Sequence, residues 1–389
     1  MKILHTSELY SPILGGAQEA VRQISERLVE RGHEVTVATK SSKFRREKSI
    51  NGVIVKEFDI SGNSISGYHG NIDAYRDLLL SSDFDIVMNY AAQQWATDIA
   101  LPLLDNIKSK KVFVPCGFSG FFLPQFEKYY KGLLGSLRKY DATIYFSKYY
   151  RDFIIANNQG LNNLIVIPNG ADEREFSRKP SINIRHLLNI PENDFLIIHV
   201  GSHTGLKGHR EAIKIFNKSR IKNSTLLIIG NDLRGCTYEC HLHEQINKIN
   251  FVSRINNKKL IIRPMSRLET ISAYFEADIF LFPSNIECSP IVLFECMASK
   301  TPFLTTDVGN SKEIINESMG GMLLPTKIDS SGYSKARINE SAKLLEYMFS
   351  NENLRIKMGY TGYEHWRKKF TWDQISKNYE EVYKKLVNK

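Results

Sequence analysis

The chain has 389 residues, of which 42% are hydrophobic and 24% are charged. This composition excludes a disordered or low-complexity protein, and the length is sufficient for two domains that each bury their own core. The formal net charge of +10 calls for an anionic partner, which could be a phosphorylated ligand, an anionic membrane surface or a nucleic acid.

The sequence contains no evident transmembrane or secretory segment. No apolar run approaches the roughly 20 residues that cross a bilayer, and the apolar part of MKILHTSELYSP is too short for a signal peptide. Five cysteines without a framework spacing favour free thiols in a reducing compartment. We therefore expect a cytoplasmic protein.

Short apolar runs alternate with longer amphipathic runs along the first part of the chain, as in βαβ units on a parallel sheet. The strand MKILHTS precedes the helix GGAQEAVRQISERLVERGH, for which Gly32 is the predicted stop. Further predicted strands are EVTVATK, VIVKEFD, DFDIVMNY, KKVFVPC, ATIYFS and LNNLIVIPNGAD. This pattern predicts an α/β, Rossmann-like domain over residues 1–172.

A second series of apolar runs follows the polar stretch SRKPSINIRHLLNIPEND, which we interpret as the linker and the entry to the second domain. The predicted strands of this series are FLIIHVG, STLLIIG, KLIIRP, DIFLFPS, TPFLTT and GGMLL. They predict a second Rossmann-like domain over residues 173–369. The final segment, residues 370–389, is predicted to be a helix after a sharp turn at Phe370.

Two features of the first domain are candidates for binding. Gly15 and Gly16 open the first long helix, where a glycine backbone can approach a ligand and the helix N-terminus favours an anion. An ordinary tight turn explains the pair too, and the spacing is not the G-x-G-x-x-G of dinucleotide sites. The segment from Phe121 to Arg151 mixes basic and aromatic residues. Its basic residues are Lys128, Lys131, Arg138, Lys139, Lys148 and Arg151.

This basic and aromatic segment has two competing interpretations. On one shared surface, its side chains would suit peripheral contact with the anionic inner face of the cell membrane. Alternatively, the aromatic side chains belong to the core and the lysines form a solvated face. No nucleic-acid-binding motif accompanies the segment, so we expect no nucleic-acid partner.

Two glutamates of the second domain, Glu287 and Glu295, have seven residues between them. Glu287 follows the strand ADIFLFPS in a loop, and Glu295 is predicted about two turns into the next helix. The N-terminus of that helix favours a phosphate, whereas carboxylates accept hydrogen bonds from hydroxyls. Sugar hydroxyls that flank a diphosphate meet both demands, so the pattern indicates a nucleotide-sugar.

This spacing resembles the E-x7-E signature of retaining glycosyltransferases of family 4, which have the GT-B fold. The similarity includes the motifs after the second glutamate, Met297–Pro302 and Asp307–Asn310, and it is strongest from Phe195 to Pro325. The resemblance implies two Rossmann-like domains that face each other across a cleft, with the C-terminal helix crossing back to the first domain. The first domain would bind the acceptor and the second the nucleotide-sugar.

The resemblance also implies the reaction and its residues. A sugar would pass from a UDP- or GDP-linked donor to a hydroxyl of a glycan or polyprenyl-linked acceptor in bacterial envelope polysaccharide synthesis, with retention and without a metal or other cofactor. Glu287 would hold the transferred sugar, Glu295 the ribose, and Lys207 the diphosphate, with Gly16 near the reaction centre. The remaining expected donor contacts are Gly201, Ser202, Ser289, Pro290, Ile291 and Val292. Glu8, Gly15, Cys116 and Ser119 are weaker acceptor-side candidates.

Two positions depart from the family pattern. Ser202 stands where family members usually carry an arginine, which Arg210, His203 or His209 would have to replace. Cys116 aligns with a histidine of many members, and a thiol cannot relay a proton as an imidazole does at neutral pH. The alternatives to functional roles are that Lys207 is a solvated loop lysine and that Cys116 is a buried cysteine of the strand.

Two further groups resemble metal motifs only weakly. Asp83 and Asp85 form D-x-D just before a strand, where these letters are common in turns. GCTYECHLHE, residues 235–244, contains two cysteines and two histidines, but C-x3-C-H-x-H does not match the usual zinc spacings. We therefore expect no metal at either place. Two competing functions stay open: a GT-B nucleotide-sugar epimerase or hydrolase, and a catalytically degenerate nucleotide-binding scaffold.

Overall fold

The computed structural model describes residues 1–13, 15–230 and 235–388. It consists of two compact units. Unit 1 comprises residues 1–169 together with 372–389, and unit 2 comprises residues 170–371. The first boundary therefore falls at Asn169, where the sequence had suggested residue 172.

Unit 1 is built on an eight-stranded sheet with helices on its faces. Its strands are β1 (Lys2–Thr6), β2 (Glu34–Lys40), β3 (Ser49–Ile50), β4 (Val53–Phe58), β5 (Ile60–Asn63), β6 (Gly67–Gly70), β7 (Ile86–Tyr90), β8 (Lys110–Val114), β9 (Ala142–Tyr145) and β10 (Leu164–Val166). Its first helices are α1 (Gly16–Glu30), α2 (Asp73–Leu80), α3 (Trp95–Asp98), α4 (Glu127–Ser136) and α5 (Arg151–Asn158). Short 3-10 turns occupy Leu101–Leu103, Pro124–Phe126 and Leu137–Lys139.

The strand order of this sheet is β10-β9-β8-β7-β1-β2-β4-β3, and every pair is parallel except the edge pair β3–β4. The strands β5 and β6 form a separate hairpin that the sequence had not indicated. The residues of β1 from Ile3 to Thr6 are fully buried, as expected of a central parallel strand covered on both faces. The order reverses between β1 and β7, which places the switch point of the sheet there.

Unit 2 is a six-stranded parallel sheet with one additional antiparallel hairpin. Its strands are β11 (Phe195–Val200), β12 (Ser224–Ile229), β13 (Lys258–Arg263), β14 (Ile279–Phe282), β15 (Phe303–Thr305), β16 (Gly321–Leu323), β17 (Thr326–Ile328) and β18 (Ser334–Ala336). Its helices are α6 (Ile184–Leu187), α7 (His209–Lys218), α8 (Thr237–Ile249), α9 (Phe251–Ile255), α10 (Arg267–Glu276), α11 (Ile291–Ala298), α12 (Ser311–Ser318), α13 (Ile338–Ser350) and α14 (Glu352–Lys369).

The order of the main sheet in unit 2 is β13-β12-β11-β14-β15-β16, so the switch point lies between β11 and β14. Each of the six predicted strands is present. The stretch SRKPSINIRHLLNIPEND lies within unit 2, and its Ile184 and Ile190 are buried in the core of that unit. It is therefore the entry to the second unit, and its few apolar side chains are packed inward among polar ones.

The final helix, α15 (Trp372–Val387), belongs to unit 1, as the family resemblance implied. Its Tyr383 Oη forms a 3.1 Å hydrogen bond with Nε2 of His5 in β1. Arg31, which follows α1, forms an ion pair of 2.7 Å with Asp373. Burial lowers the pKa of His5 to about 3, so this contact between β1 and α15 is made by a neutral imidazole.

The basic and aromatic segment does not form one interleaved surface. Tyr130, Tyr140 and Tyr145 are buried in the core of unit 1. Phe122 and Tyr149 are the exposed exceptions, at 56% and 77% relative exposure. The basic residues other than Arg151 lie exposed. In the described part of the chain, no helix combines the length and apolar character needed to cross a membrane.

Candidate functional site

Two loops of unit 2 meet at the switch point of its sheet. One joins β11 to α7 and the other joins β14 to α11. The backbone N–H of Asn285 donates to the carbonyl oxygen of Leu206 at 2.8 Å, which ties the two loops together. Gly208 has a positive φ of 79°, and a Cβ there would lie 2.1 Å from the carbonyl oxygen of Pro283. Only glycine therefore permits this close approach of the two backbones.

Lys207 and Glu287 form an ion pair between these loops. The Nζ atom of Lys207 lies 2.7 Å from Oε1 of Glu287, and the hydroxyl of Ser284 donates to the same oxygen at 2.9 Å. The Glu287 side chain is 9% exposed and that of Lys207 is 30% exposed. Among the described residues, Oε2 of Glu287 has no hydrogen-bond donor. It can therefore accept a hydrogen bond from a ligand hydroxyl while Lys207 stays accessible to an anion.

The helix after this loop begins closer to Glu295 than the sequence suggested. Because α11 starts at Ile291, Glu295 lies little more than one turn into the helix, and the prediction of two turns was wrong. Pro290 is the N-cap residue and has no N–H, so it cannot donate to a diphosphate as we had expected. The N–H groups of Ile291 and Val292 start the helix and have no partner within it.

Glu295 is buried and already has a basic partner. Its Oε1 lies 2.6 Å from Nη1 of Arg267, and Nη2 of the same guanidinium lies 2.5 Å from Oε2 of Glu175. The buried phenol of Tyr274 lies beside the same carboxylate, and burial together with the charge of Glu295 raises the pKa of Tyr274 well above its usual value. The arginine therefore holds one oxygen of a carboxylate that is buried among polar and charged neighbours.

Arg267 was not singled out from the sequence, although a local signal was present. The letters SRLE at the start of α10 match a capping box, in which Ser266 and Glu269 satisfy each other's backbone N–H groups. This cap fixes the start of the helix and places Arg267 in its first turn. The pairing of Arg267 with Glu295 depends on tertiary packing, which the spacing of residues along the chain does not reveal.

The segment Asp307–Asn310 closes another side of this site. The N–H of Asn310 donates to the carbonyl oxygen of Cys288 at 2.9 Å, and the side-chain amide of Asn310 donates to the hydroxyl of Ser289 at 3.0 Å. Gly309 has a φ of 54°, and a Cβ there would lie 2.1 Å from the same carbonyl oxygen. The backbone that follows Glu287 is thus held in place by the DVGN motif.

The structure does not bring a second cation beside Lys207 from the three candidates. Arg210 is paired with Glu239 on α8. His203 and His209 are buried with their rings 4.2 Å apart. Ser202 itself is exposed and uncharged. Among these residues of the loop, Lys207 is the one whose charge reaches Glu287.

Residues 181–365 match the family of glycosyl transferases group 1, and residues 14–175 match Glycosyltransferase Family 4. The chain belongs to the family 4 glycosyltransferases. It is therefore an enzyme of the glycosyl-transfer class, and the resemblance inferred from its motifs is confirmed.

Three curated relatives illustrate the range of the family. An uncharacterized glycosyltransferase, MJ1607 of Methanocaldococcus jannaschii, is 25% identical over 99% of this chain and 98% of its own length. The N-acetyl-alpha-D-glucosaminyl L-malate synthase of Bacillus anthracis is 22% identical over 96% of this chain and 94% of its own. An Escherichia coli UDP-Gal:alpha-D-GlcNAc-diphosphoundecaprenol alpha-1,3-galactosyltransferase is 27% identical over 50% of each chain.

Solved structures share the fold of this glycosyltransferase. Sucrose-phosphate synthase from Thermosynechococcus elongatus has a TM-score of 0.79 at 17% identity, over 100% of this chain and 99% of its own. Anabaena HepE in complex with UDP-glucose has a TM-score of 0.73 at 17% identity, over 98% and 99%. These likenesses confirm the predicted GT-B class, with its two α/β units.

In unit 1 of the glycosyltransferase, the acceptor-side candidates Glu8 and Cys116 follow the carboxyl ends of the strands β1 and β8. Glu8 follows β1, and its N–H donates to the side-chain oxygen of Gln94 at 2.6 Å, beyond β7. Burial raises the pKa of the Glu8 carboxyl, with a nearby Lys40 opposing the shift. Gly15 and Gly16 are exposed at the start of α1.

Cys116 follows β8 with a φ of 59°, and its neighbour Gly117 donates its N–H to Oδ2 of the buried Asp152 at 2.8 Å. Burial raises the pKa of the Cys116 thiol, and the charge of Asp152 adds to the shift. The residue therefore stays a thiol at neutral pH. Asp152 itself was missed from the sequence, and burial raises its pKa to about 6. Ser119 is exposed nearby.

The two weak metal motifs have different outcomes in the transferase. The carboxylate of Asp85, directly before β7, accepts a hydrogen bond at 2.7 Å from the N–H of Lys2 at the start of the neighbouring strand β1. In GCTYECHLHE, where we expected no metal, the two cysteines are grouped with a histidine from outside this segment. Cys236 and Cys240 lie with His203, from another loop, and their ligand atoms are within 4.8 Å of one another.

Proposed function

We propose that the enzyme is a retaining glycosyltransferase that moves a sugar from a uridine-linked donor to a hydroxyl of a glycan or lipid-linked glycan in envelope polysaccharide synthesis. The observation that carries this proposal is the pair of Lys207 and Glu287, which joins two loops at the switch point of unit 2 in front of the N-terminus of α11. Ligands of open α/β sheets bind at such switch points, outside the carboxyl ends of the strands.

The donor's diphosphate would lie between Lys207 and the first N–H groups of α11. An ammonium group and a helix N-terminus both favour negative charge, and both would stabilise the charge that grows on the diphosphate as it leaves. The ion pair with Glu287 keeps the lysine in place before the donor arrives. Preorganisation of this kind stabilises the transition state without reorganisation during the reaction.

The two carboxylates would hold the sugars on either side of the diphosphate. Oε2 of Glu287 would accept a hydrogen bond from a hydroxyl of the transferred sugar. Oε2 of Glu295 would accept one from the ribose, while Arg267 holds Oε1 and stabilises the buried charge. A carboxylate forms stronger hydrogen bonds than a neutral acceptor, which suits the recognition of hydroxyl groups.

Retention would follow from a reaction on one face of the sugar. The bond between the anomeric carbon and the diphosphate oxygen breaks, and the acceptor oxygen forms its bond to that carbon on the same face. The acceptor's proton passes to the departing phosphate oxygen. The protein then contributes positioning and charge stabilisation, and no metal ion is required.

The comparisons support the choice of donor and acceptor class. Anabaena HepE, which has the same fold, binds UDP-glucose, and the E. coli relative is named for a UDP-linked donor and a diphosphoundecaprenol acceptor. Unit 1 would bind the acceptor near Glu8, Gly16 and Ser119. Exposed Phe122 and Tyr149, with the nearby basic residues, would provide peripheral contact with an anionic membrane at the cytoplasmic face.

A comparison of nucleotides tests this proposal at its first step. Thermal unfolding is measured with UDP, GDP and ADP, because a ligand of the native state raises the melting temperature. We expect UDP to raise it most. Stabilisation by GDP alone would refute the uridine assignment, and no response to any nucleotide would refute the donor site.

Turnover then separates the competing functions. A transferase releases UDP from a UDP-sugar at a rate that rises with an acceptor. An epimerase or hydrolase would release free sugar at full rate without one. Binding of UDP without turnover of any donor would support the nucleotide-binding scaffold.

A further inference from the structure

Beneath the Lys207 loop lies a buried cluster of sulfur and imidazole groups. His203 belongs to the loop, whereas Cys236 and Cys240 lie at the start of α8. The ligand atoms of these three residues are within 4.8 Å of one another, and all three side chains are buried. The Sγ atom of Cys236 lies 3.6 Å from Nδ1 of His203. Cys236 and Cys240 share a helix face because they are four residues apart.

His209 adds a fourth candidate ligand. Its Nε2–H donates to the carbonyl oxygen of Gly201 at 3.2 Å, so Nδ1 carries the free lone pair. This Nδ1 atom is buried without a hydrogen-bond partner, and Nε2 of His203 is in the same state. A hydrogen bond from the second ring nitrogen to a backbone carbonyl is how metal-binding histidines are commonly oriented.

Unsatisfied buried polar atoms destabilise a fold, by about 1–3 kcal/mol for each group. A cluster of several therefore calls for a partner that supplies what they lack. A neutral imidazole offers a lone pair on one ring nitrogen, and a thiol becomes a thiolate when it loses its proton. A metal cation can accept electron pairs from both kinds of group. Sulfur and nitrogen ligands in this combination favour zinc over magnesium or calcium, which prefer oxygen.

The backbone around the cluster is arranged to bring its two segments together. The N–H of Cys236 donates to the carbonyl oxygen of His203 at 3.1 Å. Gly235 has a φ of 71°, and a Cβ there would lie 1.6 Å from that same oxygen. At Gly230, a Cβ would lie 2.8 Å from Cδ2 of His203. Glycine at both positions permits the approach.

We propose that His203, Cys236, Cys240 and His209 bind one structural Zn²⁺ ion. A tetrahedral site with Zn–S bonds of about 2.3 Å and Zn–N bonds of about 2.0 Å separates its ligand atoms by roughly 3.3–3.8 Å. The Sγ atom of Cys236 and Nδ1 of His203 are already at that separation. A contraction of about 1 Å brings the ligand atom of Cys240 to the same separation. Nδ1 of His209 lies outside this group of three ligand atoms, so its ring must move further to complete a closed, four-ligand site of the structural type.

The zinc ion joins the loop that carries Lys207 to the N-terminal end of α8. It has no role as a Lewis acid, because four protein ligands leave no position for substrate. This site does not depend on the proposed transfer reaction. The site differs from the group of two cysteines and two histidines in GCTYECHLHE. His241 and His243 of that segment do not belong to the cluster among the described residues.

The zinc content of purified protein without a histidine tag tests the proposal. We expect one zinc per chain by elemental analysis, and loss of the ion in Cys240→Ser. The matched control is His243→Gln, three residues further along the same helix, which retains the zinc. Cys240→His keeps a ligand at this position and also retains it, which separates ligation from a general effect on folding.

Cobalt reconstitution provides a second readout that does not require the variants to be stable. Co²⁺ added to wild-type protein stripped of metal should give thiolate-to-cobalt charge-transfer absorption, which tetrahedral cysteine ligation produces. Absence of both stoichiometric zinc and this absorption would overturn the site. So would a Cys236–Cys240 disulfide found by mass spectrometry in freshly purified protein. None of these measurements uses donor or acceptor, so their failure leaves the proposed transfer reaction untouched.

Discussion

Replacing Lys207 with methionine removes the ammonium group and keeps most of the side-chain length. The ion pair with Glu287 is lost, and among the residues that the structure describes Ser284 remains as the hydrogen-bond donor to that carboxylate. If Lys207 stabilises the departing diphosphate, the loss resembles removal of one preorganised electrostatic donor. Such a removal lowers kcat by about 10²- to 10³-fold.

The effect on folding should be much smaller than the effect on catalysis. Lys207 lies in a loop with its side chain 30% exposed, and ion pairs that solvent reaches contribute about 0–1 kcal/mol to stability. The melting temperature should therefore change by only a few degrees. Lys214→Met, at an exposed lysine on the same helix-loop unit, is the matched control and should keep full activity.

The assay is UDP release from a UDP-sugar in the presence of acceptor, with stability measured on the same samples. A Glu287→Gln variant and the double variant complete a cycle. Because the two residues act on one donor, their effects on kcat should not add. Wild-type turnover by Lys207→Met would refute the role of Lys207, and strictly additive losses would refute the shared site.

Further predictions concern the nucleoside site, acid stability, metal ions and the membrane. Glu295→Gln should weaken UDP binding by about 1.5–3 kcal/mol, the range for a hydrogen bond to a charged group, and unchanged affinity by calorimetry would exclude the ribose contact. His5 has a folded pKa of about 3, below its unfolded value of about 6.5, so the stability it contributes is complete above pH 6.5. That stability falls by about 1.4 kcal/mol for each pH unit below 6.5, and denaturant unfolding of His5→Gln should show a shallower dependence. Added Mg²⁺ should leave the rate of transfer unchanged, and a clear dependence on it would contradict the metal-free reaction. Phe122→Ser with Tyr149→Ser should reduce flotation with anionic vesicles at low salt, whereas wild-type protein that stays unbound would remove the membrane contact.

The sequence predicted the fold well because the two sheets are parallel and covered on both faces. Their strands are near-continuous apolar runs that stand out between polar turns, as FLIIHVG and DIFLFPS do. The short hairpins β5–β6 and β17–β18, each a separate two-stranded sheet, lack such runs and were not foreseen. The entry to unit 2 was recognised from its polar composition, but its contribution to the core was not, because Ile184 and Ile190 are isolated among polar residues.

The candidate site was only partly predictable. Glu287 and Lys207 were identified separately from motifs, but their 2.7 Å contact depends on how two loops meet. The Arg267 partner of Glu295 and the His203 member of the sulfur cluster come from distant parts of the chain. Spacing along the sequence cannot reveal such pairings. His241 and His243, which follow the cysteines in the sequence, are not part of the described group of three ligand atoms.

The anomeric configuration of the product tests the central claim most directly. UDP-glucose, UDP-galactose and UDP-N-acetylglucosamine would be incubated with the enzyme and either a polyprenyl-diphosphate-linked sugar or L-malate, the acceptors that the names of the relatives suggest. Proton NMR of the purified product would then report its configuration. We predict an α-linked product from the α-linked donor. A β-linked product, or no sugar transferred from any donor, would contradict the account.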